Sequence, residues 1–255
     1  GVTIGGSGTI AFTGINTYSG ATIINSGSTL NLSGSGSIAN SAISNAGTFS
    51  ISGTSSGASV VSLTGAGSTV LGANTLTISN ASGTYSGAMS GTSGALVKQG
   101  SGTYTMSGTN SYTGGTTISA GTLKLTGSLS TSTDVVMSGV AVWDLQSAQT
   151  VATLTMASGN SITNTAGTSS LSVNGSSTLA NSITTSGAQT YTGAVTLGTD
   201  LSMSTSSNGS VVFASTVNGA KSLTVSTNGT GDVTMSGAVG GTTALTDLTI
   251  TTDVL

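Results

Sequence analysis

The sequence contains no histidine, cysteine, proline, glutamate or arginine, and its only charged residues are three lysines and six aspartates. Histidine, cysteine and glutamate are the usual ligands of zinc, iron and copper, so a centre of these metals is excluded. The same absences exclude a Ser-His-Asp triad and most general acid–base chemistry. Three lysines cannot neutralise a run of phosphates, which excludes extended nucleic-acid binding. We therefore expect no enzyme and no cofactor.

Long apolar runs are also missing, since no stretch approaches the roughly 18 consecutive apolar residues of a membrane helix. We therefore expect no membrane span. A net charge of only −3 is unlike the high charge of most disordered chains. Without proline nothing interrupts backbone pairing, whereas 40 glycines would each cost a helix about 1 kcal/mol. The sequence begins at Gly1 and stops within its pattern at Leu255, so we expect a segment of a longer chain.

What the sequence does contain is 48 serines, 49 threonines and short apolar-x-apolar units that are bounded by Gly, Ser or Asn. Alternation with period two puts both apolar side chains of a unit on one face of a strand and the polar one on the other. The units are Leu30/Leu32, Phe49/Ile51, Leu76/Ile78, Leu123/Leu125, Leu154/Met156, Leu171/Val173, Leu201/Met203, Leu223/Val225, Val233/Met235 and Leu248/Ile250.

This pattern predicts an all-β fold with a narrow interior. Faces of two or three apolar residues, with nine aromatic residues in total, cannot fill a wide sandwich. We predict a right-handed parallel β-helix (a β-solenoid) of roughly 20–25 residues per coil and about ten to twelve coils, uncapped at both ends. Residues 1–255 form a single continuous solenoid in this prediction, and residues 131–255 are more divergent than 1–130.

An internal repeat supports the solenoid. Residues 8–20 align without a gap with residues 102–114, and both segments continue to a second strand that ends at Leu32 or Leu125. The unit [Ser/Thr]-Tyr-[Ser/Thr]-Gly occurs four times, which predicts one shared structural position for four tyrosines and their glycines. These residues are Tyr18, Tyr85, Tyr112 and Tyr191 with Gly20, Gly87, Gly114 and Gly193.

Residues 96–125, from Leu96 through the Thr-Asn-Ser-Tyr-Thr-Gly-Gly segment to Leu125, resemble the passenger-associated β-strand repeat of autotransporters. Residues 8–32 resemble a degenerate second copy and residues 187–203 a weaker third one. The remainder is similar to the β-helical shafts of filamentous-haemagglutinin-like bacterial adhesins. The resemblance implies a secreted right-handed β-helix on a bacterial surface, whose repeats are associated with passenger folding and export.

Few residues suggest a ligand site. Trp143 and Asp144 are candidates for a glycan contact, although alternation places Trp143 with Ala141 and Leu145 on the core side. The tyrosines could also stack against sugars. Paired carboxylates, the remaining arrangement for hydrolysis, could arise from Asp134 with Asp144 or from Asp247 with Asp253. We expect these acids to be solvated turn residues, and the sequence has no tandem calcium motif.

Three functions remain open from the sequence. The first is the structural shaft of a large secreted cell-surface adhesin or fibre. The second is a self-assembling extracellular filament subunit, and the third is a binding module for surface glycans or for ice. The expected partners are accordingly other copies, neighbouring segments of the same long chain, or surface glycans, at the bacterial cell surface.

Overall fold

The computed structural model describes residues 1–252, and this range is built from strands joined by turns. Asp253 therefore lies outside the described residues. No helix in the described range has the length and apolar character needed to cross a membrane. The chain divides into two compact units, residues 1–133 and the residues from Asp134 onward. Whether these units form one uninterrupted cylinder stays a prediction.

The first unit contains the sixteen strands before residue 134. They are β1 (Val2–Ile4), β2 (Thr9–Phe12), β3 (Thr22–Ile24), β4 (Thr29–Gly34), β5 (Ala42–Asn45), β6 (Thr48–Thr54), β7 (Ala58–Val60), β8 (Ser62–Thr64), β9 (Ser68–Val70), β10 (Thr75–Ile78), β11 (Gly83–Tyr85), β12 (Met89–Ser90), β13 (Ala95–Lys98), β14 (Thr103–Met106), β15 (Thr116–Ile118) and β16 (Gly121–Leu125).

The second unit contains the other fourteen strands of the described range. They are β17 (Asp134–Met137), β18 (Ala141–Leu145), β19 (Gln149–Val151), β20 (Thr153–Met156), β21 (Ser161–Thr163), β22 (Leu171–Val173), β23 (Ser177–Thr185), β24 (Gln189–Tyr191), β25 (Val195–Thr205), β26 (Val211–Phe213), β27 (Val217–Asn218), β28 (Ser222–Thr227), β29 (Val233–Met235) and β30 (Asp247–Thr252).

Each unit stacks its strands on three faces. In the first unit the first face holds β1, β3, β5, β8, β11, β14 and β16, and the second face holds β2, β4, β6, β9 and β12. The third face holds β7, β10, β13 and β15. In the second unit, β19, β22, β24, β26 and β29 make one stack, and the long strands β23 and β25 each run across two others.

These pairings are parallel, and a strand pairs with the strand one coil later. Successive strands of the first face begin at Val2, Thr22, Ala42 and Ser62, so a coil takes about 20 residues. The described residues of the two units together hold about twelve turns. The predicted all-β, parallel solenoid is therefore confirmed, while its right hand stays a prediction.

The core consists of thin rungs of aliphatic side chains, as the alternation predicts. The units from Leu30/Leu32 to Leu223/Val225 are buried, each side chain being at most 2% exposed. Paired strands place these side chains one above the other, as in the rung of Leu76 and Leu96. The two last units differ. Val233 and Met235 are half-buried, and Leu248 and Ile250 are exposed because β30 pairs with β28 alone within the described residues.

We predict that Ile118→Asp unfolds the coil around β15. Ile118 is fully buried, and its neighbour Lys98 on the preceding coil already donates to two backbone carbonyls, so a carboxylate at 118 would have to leave water for an aliphatic rung at a cost of several kcal/mol. Urea unfolding followed by circular dichroism should show a lower midpoint or an early partial transition. Thr117→Asp, one residue away on the outward side, is the matched control and should change the midpoint little. Equal effects of both changes would contradict the inward assignment of Ile118.

Candidate functional site

The chemically distinctive part of the first unit is the set of corners where a coil passes from one face to the next. At these corners backbone carbonyl and amide groups leave the strand ladders and need other partners, because unpaired buried polar groups are costly. Asparagine, tyrosine, threonine and lysine side chains supply those partners. We call Asn16, Asn110 and Asn160 the corner staples, because each bonds the backbone of a neighbouring coil.

Asn110 joins three consecutive coils. Its side chain is 2% exposed, and Nδ2 donates to the carbonyl oxygens of Gly108 (3.0 Å) and Ser128 (3.0 Å). Its Oδ1 accepts a hydrogen bond from the backbone N–H of Met89 at 3.0 Å. Gly108 lies in the same coil, whereas Met89 and Ser128 lie in the preceding and the following one. One amide thus fixes the register of three coils.

Asn16 makes the same two donor bonds at the corresponding place of the first repeat copy. Its Nδ2 donates to the carbonyl of Gly14, two residues back, at 2.9 Å and to the carbonyl of Ser37, one coil later, at 3.2 Å. Its backbone N–H also donates to Ser37, as that of Asn110 does to Ser128. The two asparagines are therefore structurally equivalent.

Asn160 is a corner staple in the second unit. It is fully buried, and its Oδ1 accepts from the backbone N–H of Ala141 at 2.8 Å. Its Nδ2 donates to the carbonyls of Met137 (2.9 Å) and Ala157 (3.0 Å). The residues it joins are again about one coil apart. Coil-to-coil bonding by a buried amide is thus present in both units.

Tyr18 and Tyr112 occupy one structural position, each close behind an asparagine staple. The hydroxyl of Tyr18 is 2.8 Å from Thr22 Oγ1, and that of Tyr112 is 2.7 Å from Thr116 Oγ1. The threonine starts the next strand in both cases. Burial raises the pKa of Tyr112, and the hydrogen bond from Thr116 opposes that shift. The tyrosine ring fills the corner, and its hydroxyl bonds the side-chain hydroxyl of the first residue of the next strand.

Tyr85 and Tyr191 lie elsewhere, so the expectation of one position for all four tyrosines is wrong for these two. Both are the last residues of strands, β11 and β24, with fully buried rings. Tyr85 pairs in register with Met106, donates to the carbonyl of Gly67 and lies 2.8 Å from Thr69 Oγ1. Tyr191 stacks on Phe213, with ring centroids 5.4 Å apart. The four-residue pattern is shared, but it continues a strand in these copies and turns a corner in the others.

The glycines that follow the tyrosines lie where successive coils touch. A Cβ at Gly20, Gly87, Gly114 or Gly193 would come within overlap distance of backbone one coil earlier, at Gly1, Gly67, Gly94 and Gly175 respectively. Gly87 belongs to a longer column in which each residue's Cβ would overlap a carbonyl of the coil before. The column is Gly47, Gly67, Gly87, Gly108 and Gly127. Glycine is required here by close approach, since no positive φ is involved at these five.

We predict that Gly87→Ala destabilises the first unit by about 1–3 kcal/mol, the usual cost of forcing a methyl group into packed structure. The added Cβ would meet the carbonyl oxygen of Gly67, which cannot move without disturbing the ladder. Urea unfolding followed by circular dichroism would measure the loss. The fluorescence of Trp143 would report the second unit separately. Gly14→Ala is the control, since nothing lies within 4 Å of its Cβ position. A Gly87→Ala chain as stable as the Gly14→Ala chain would contradict the steric role.

Lys98 is a buried cation within an aliphatic column. It is fully buried on β13 and pairs in register with Ile78 and Ile118. Its Nζ donates to the carbonyl oxygens of Gly100 (3.0 Å) and Ala120 (2.8 Å), two corner residues of successive coils. Burial lowers the pKa of Lys98 to about 8. The lysine therefore acts as a cationic counterpart of the asparagine staples.

We predict that the free energy of unfolding rises between about pH 8 and pH 10. The unfolded chain binds a proton at lysine up to about pH 10.4, whereas the folded chain releases it from about pH 8, so stability increases with pH in that window. Above about pH 10 the buried tyrosines reverse the trend, because burial raises the pKa of Tyr85, Tyr104, Tyr112 and Tyr191 above that of unfolded tyrosine.

Urea unfolding at a series of pH values would measure both limbs. The Lys98→Met chain keeps the volume of the side chain without its charge, so it should lose the rise between pH 8 and 10 and keep the fall above pH 10. Lys124→Met, at a half-exposed lysine, is the control and should retain both limbs. A rise that persists in the Lys98→Met chain would assign it to another group.

Trp143 and Asp144, the glycan candidates, are both inside the second unit. Trp143 is fully buried, and Asp144 is 4% exposed. Asp144 Oδ1 accepts from the backbone N–H of Thr165, and Oδ2 accepts from Thr165 Oγ1 (2.6 Å) and Gln146 Nε2 (2.9 Å). Neither side chain presents a surface to a sugar in this structure. Asp144 instead ties β18 to the following coil.

The remaining acids do not converge on a reaction centre in the described residues. Asp134 accepts a hydrogen bond from Thr153 one coil later, at 2.6 Å, and Asp247 is exposed on β30. No group of three or more potential ligands that could hold a metal ion occurs in residues 1–252. An open groove of about 590 Å³ in the first unit is lined by glycine, serine and threonine with Ile15, Ala58 and no acid or base.

Sequence reasoning missed Lys98 and the asparagine staples. For Lys98 the signal was present, because it stands two residues after Leu96 and so shares its inward face. For the staples no single feature was sufficient, since asparagine next to glycine and serine is common in exposed turns. Their repeated spacing within the two copies could have identified Asn16 and Asn110, but not Asn160.

Comparison with protein families finds a match in two segments of the first unit. The family model described as the passenger-associated transport repeat matches residues 5–32 and 96–125. Residues 187–203 lie outside the two matches. No curated protein and no solved structure matches the chain. The repeats and the β-solenoid together fit the passenger domain of an autotransporter.

Proposed function

We propose that the chain is a rigid segment of the shaft of a secreted bacterial surface protein, and that its function is mechanical and not catalytic. The observation that carries the proposal is the combination of two passenger-associated transport repeats with a parallel solenoid whose corners are bonded coil to coil. A shaft needs to keep its length and shape outside the cell, where no energy source repairs it.

The bonding pattern supports resistance to bending and unwinding. Each coil is tied to the next by strand ladders on its faces and by side chains at its corners. A single hydrogen bond contributes only about 0.5–1.5 kcal/mol. In a stacked repeat protein such bonds add to the interface between neighbouring coils, and these interfaces couple the unfolding of one coil to that of the next. Lys98, Asn110 and Asn160 add bonds between coils that the ladders alone would not provide. The corners, where a solenoid would otherwise open, are therefore reinforced.

The outward side chains support an extracellular role with few charges. In the second unit, register pairing places Ser182 beside Ser202 and Thr184 beside Ser204. The hydroxyl oxygens of Thr184 and Ser204 are 3.0 Å apart. Hydroxyl columns bond to one another and to water without the salt dependence of ion pairs. Such a surface suits a stalk that works over a wide range of ionic strength.

A display experiment tests the proposal. Residues 1–255 would be placed between a cleaved signal peptide with an N-terminal epitope and an autotransporter translocator in a Gram-negative host. We expect the epitope on intact cells and a solenoid that resists protease added outside them. The Ile118→Asp chain, displayed in the same way, should be cut within the first unit. Surface display of a wild-type chain that is cut as readily as this variant would refute the shaft.

The purified chain separates the alternatives. Sedimentation and electron microscopy should show single particles at micromolar concentration, whereas ordered fibres would favour the filament subunit. Binding to immobilised glycans that survives high salt would favour the adhesive module. The burial of Trp143 and Asp144 leads us to expect no such binding.

A further inference from the structure

The two passenger-associated transport repeats lie on different faces of the first unit. In the copy at residues 5–32, the first strand, β2, is on the second face, and β3 and β4 follow on the first and second faces. In the copy at residues 96–125, the corresponding strands β14, β15 and β16 are on the first, third and first faces. The second copy therefore starts on the first face and the first copy on the second face, a displacement of two faces in the direction of the chain.

The spacing of the copies explains the displacement. From Gly8 to Gly102 there are 94 residues, whereas strands on one face recur every 20 residues or so. Following the second face from β2 leads through β4, β6 and β9 to β12, four full coils later. Two further faces, on β13 and then β14, complete the distance. The repeat thus recurs after four full coils and part of a fifth, and not after a whole number of coils.

The local geometry is nevertheless the same in both copies. Asn16 and Asn110 donate to the carbonyl two residues back and to a carbonyl of the next coil, with all four distances between 2.9 and 3.2 Å. Both are preceded by an isolated parallel bridge to that next coil, at Ile15 and Thr109. Tyr18 and Tyr112 make the same bond to the threonine four residues later.

From this we infer that the repeat specifies a corner and not a face. The asparagine and the tyrosine are positioning residues that close whichever of the three corners the chain has reached. The physical reason is that the asparagine donates to backbone carbonyls, which a corner of a parallel stack offers whatever its side chains, while the tyrosine bonds a threonine that the repeat itself supplies. Nothing in the bonding depends on which strands lie across the interior.

A reciprocal exchange tests the inference in the full chain. Residues 13–24 and 107–118 are each twelve residues long and differ at six positions, so exchanging them preserves length and composition. If the segment closes any corner, the exchanged chain should melt cooperatively within about 4 °C of the unaltered chain. Hydrogen exchange at the Met89 amide should stay slow, because that N–H still meets an asparagine Oδ1.

A composition-matched control destroys the motif without changing the segments' content. It combines Asn16→Tyr with Tyr18→Asn and Asn110→Tyr with Tyr112→Asn. We expect a melting temperature lower by more than about 4 °C, or no cooperative transition, and fast exchange at Met89. An exchanged chain that melts like this control would show that each copy is adapted to its own face. A control that melts like the unaltered chain would show that the asparagine and tyrosine do not set the corner, and either result overturns the inference.

Discussion

Parallel stacking of one coil on the next is the constraint on which the rest of this structure depends. Strands about 4.8 Å apart bring equivalent positions of successive coils into contact. Each side chain must therefore pack against a similar side chain on the coil above and on the coil below. Aliphatic side chains meet this condition easily, as in the rung of Leu76 and Leu96. Polar side chains meet it by hydrogen bonding, either to backbone, as Asn110 does, or to a nearby side chain, as Tyr112 does to Thr116.

The corners show the same constraint in two further forms. Where coils touch directly, as at Gly67, Gly87 and Gly108, any side chain would collide with the carbonyl of the coil before, and only glycine fits. Where a gap remains, a long polar side chain fills it and bonds the exposed carbonyls, as Asn110 and Lys98 do. In the second unit Thr185, Thr205 and Thr227 each donate to a corner carbonyl at 2.6 Å. A corner is thus packed in one of two ways. Either glycine lets the two coils touch, or a polar side chain fills the gap and bonds the carbonyls.

Much of the fold follows from the sequence, because alternation with period two depends only on strand geometry and was sufficient to place Leu30, Leu123 and Trp143 inside. The corners followed less well. Tyr85 and Tyr112 share the same four-residue pattern, yet one ends a strand and the other turns a corner. The difference lies two residues before the tyrosine, where Asn110 bonds the backbone of its own and the next coil but Gly83 has no side chain, and the four-residue pattern does not include that position. Lys98 shows a related limit of sequence-based prediction. Its charge favours the surface, whereas its position two residues after Leu96 in an alternating strand favours the core.

The scarcity of charge follows from the stacking as well. An outward residue on one coil lies beside its counterpart on the next, so a charged position that recurred with the repeat would place like charges about 5 Å apart, at a cost of about 1 kcal/mol per pair even in water. A hydroxyl donates and accepts, so it bonds to an identical neighbour, as Thr184 does with Ser204. Serine and threonine columns are therefore the outward sequence that repeats without penalty. A solenoid built by repetition therefore has a physical reason to carry few charged side chains.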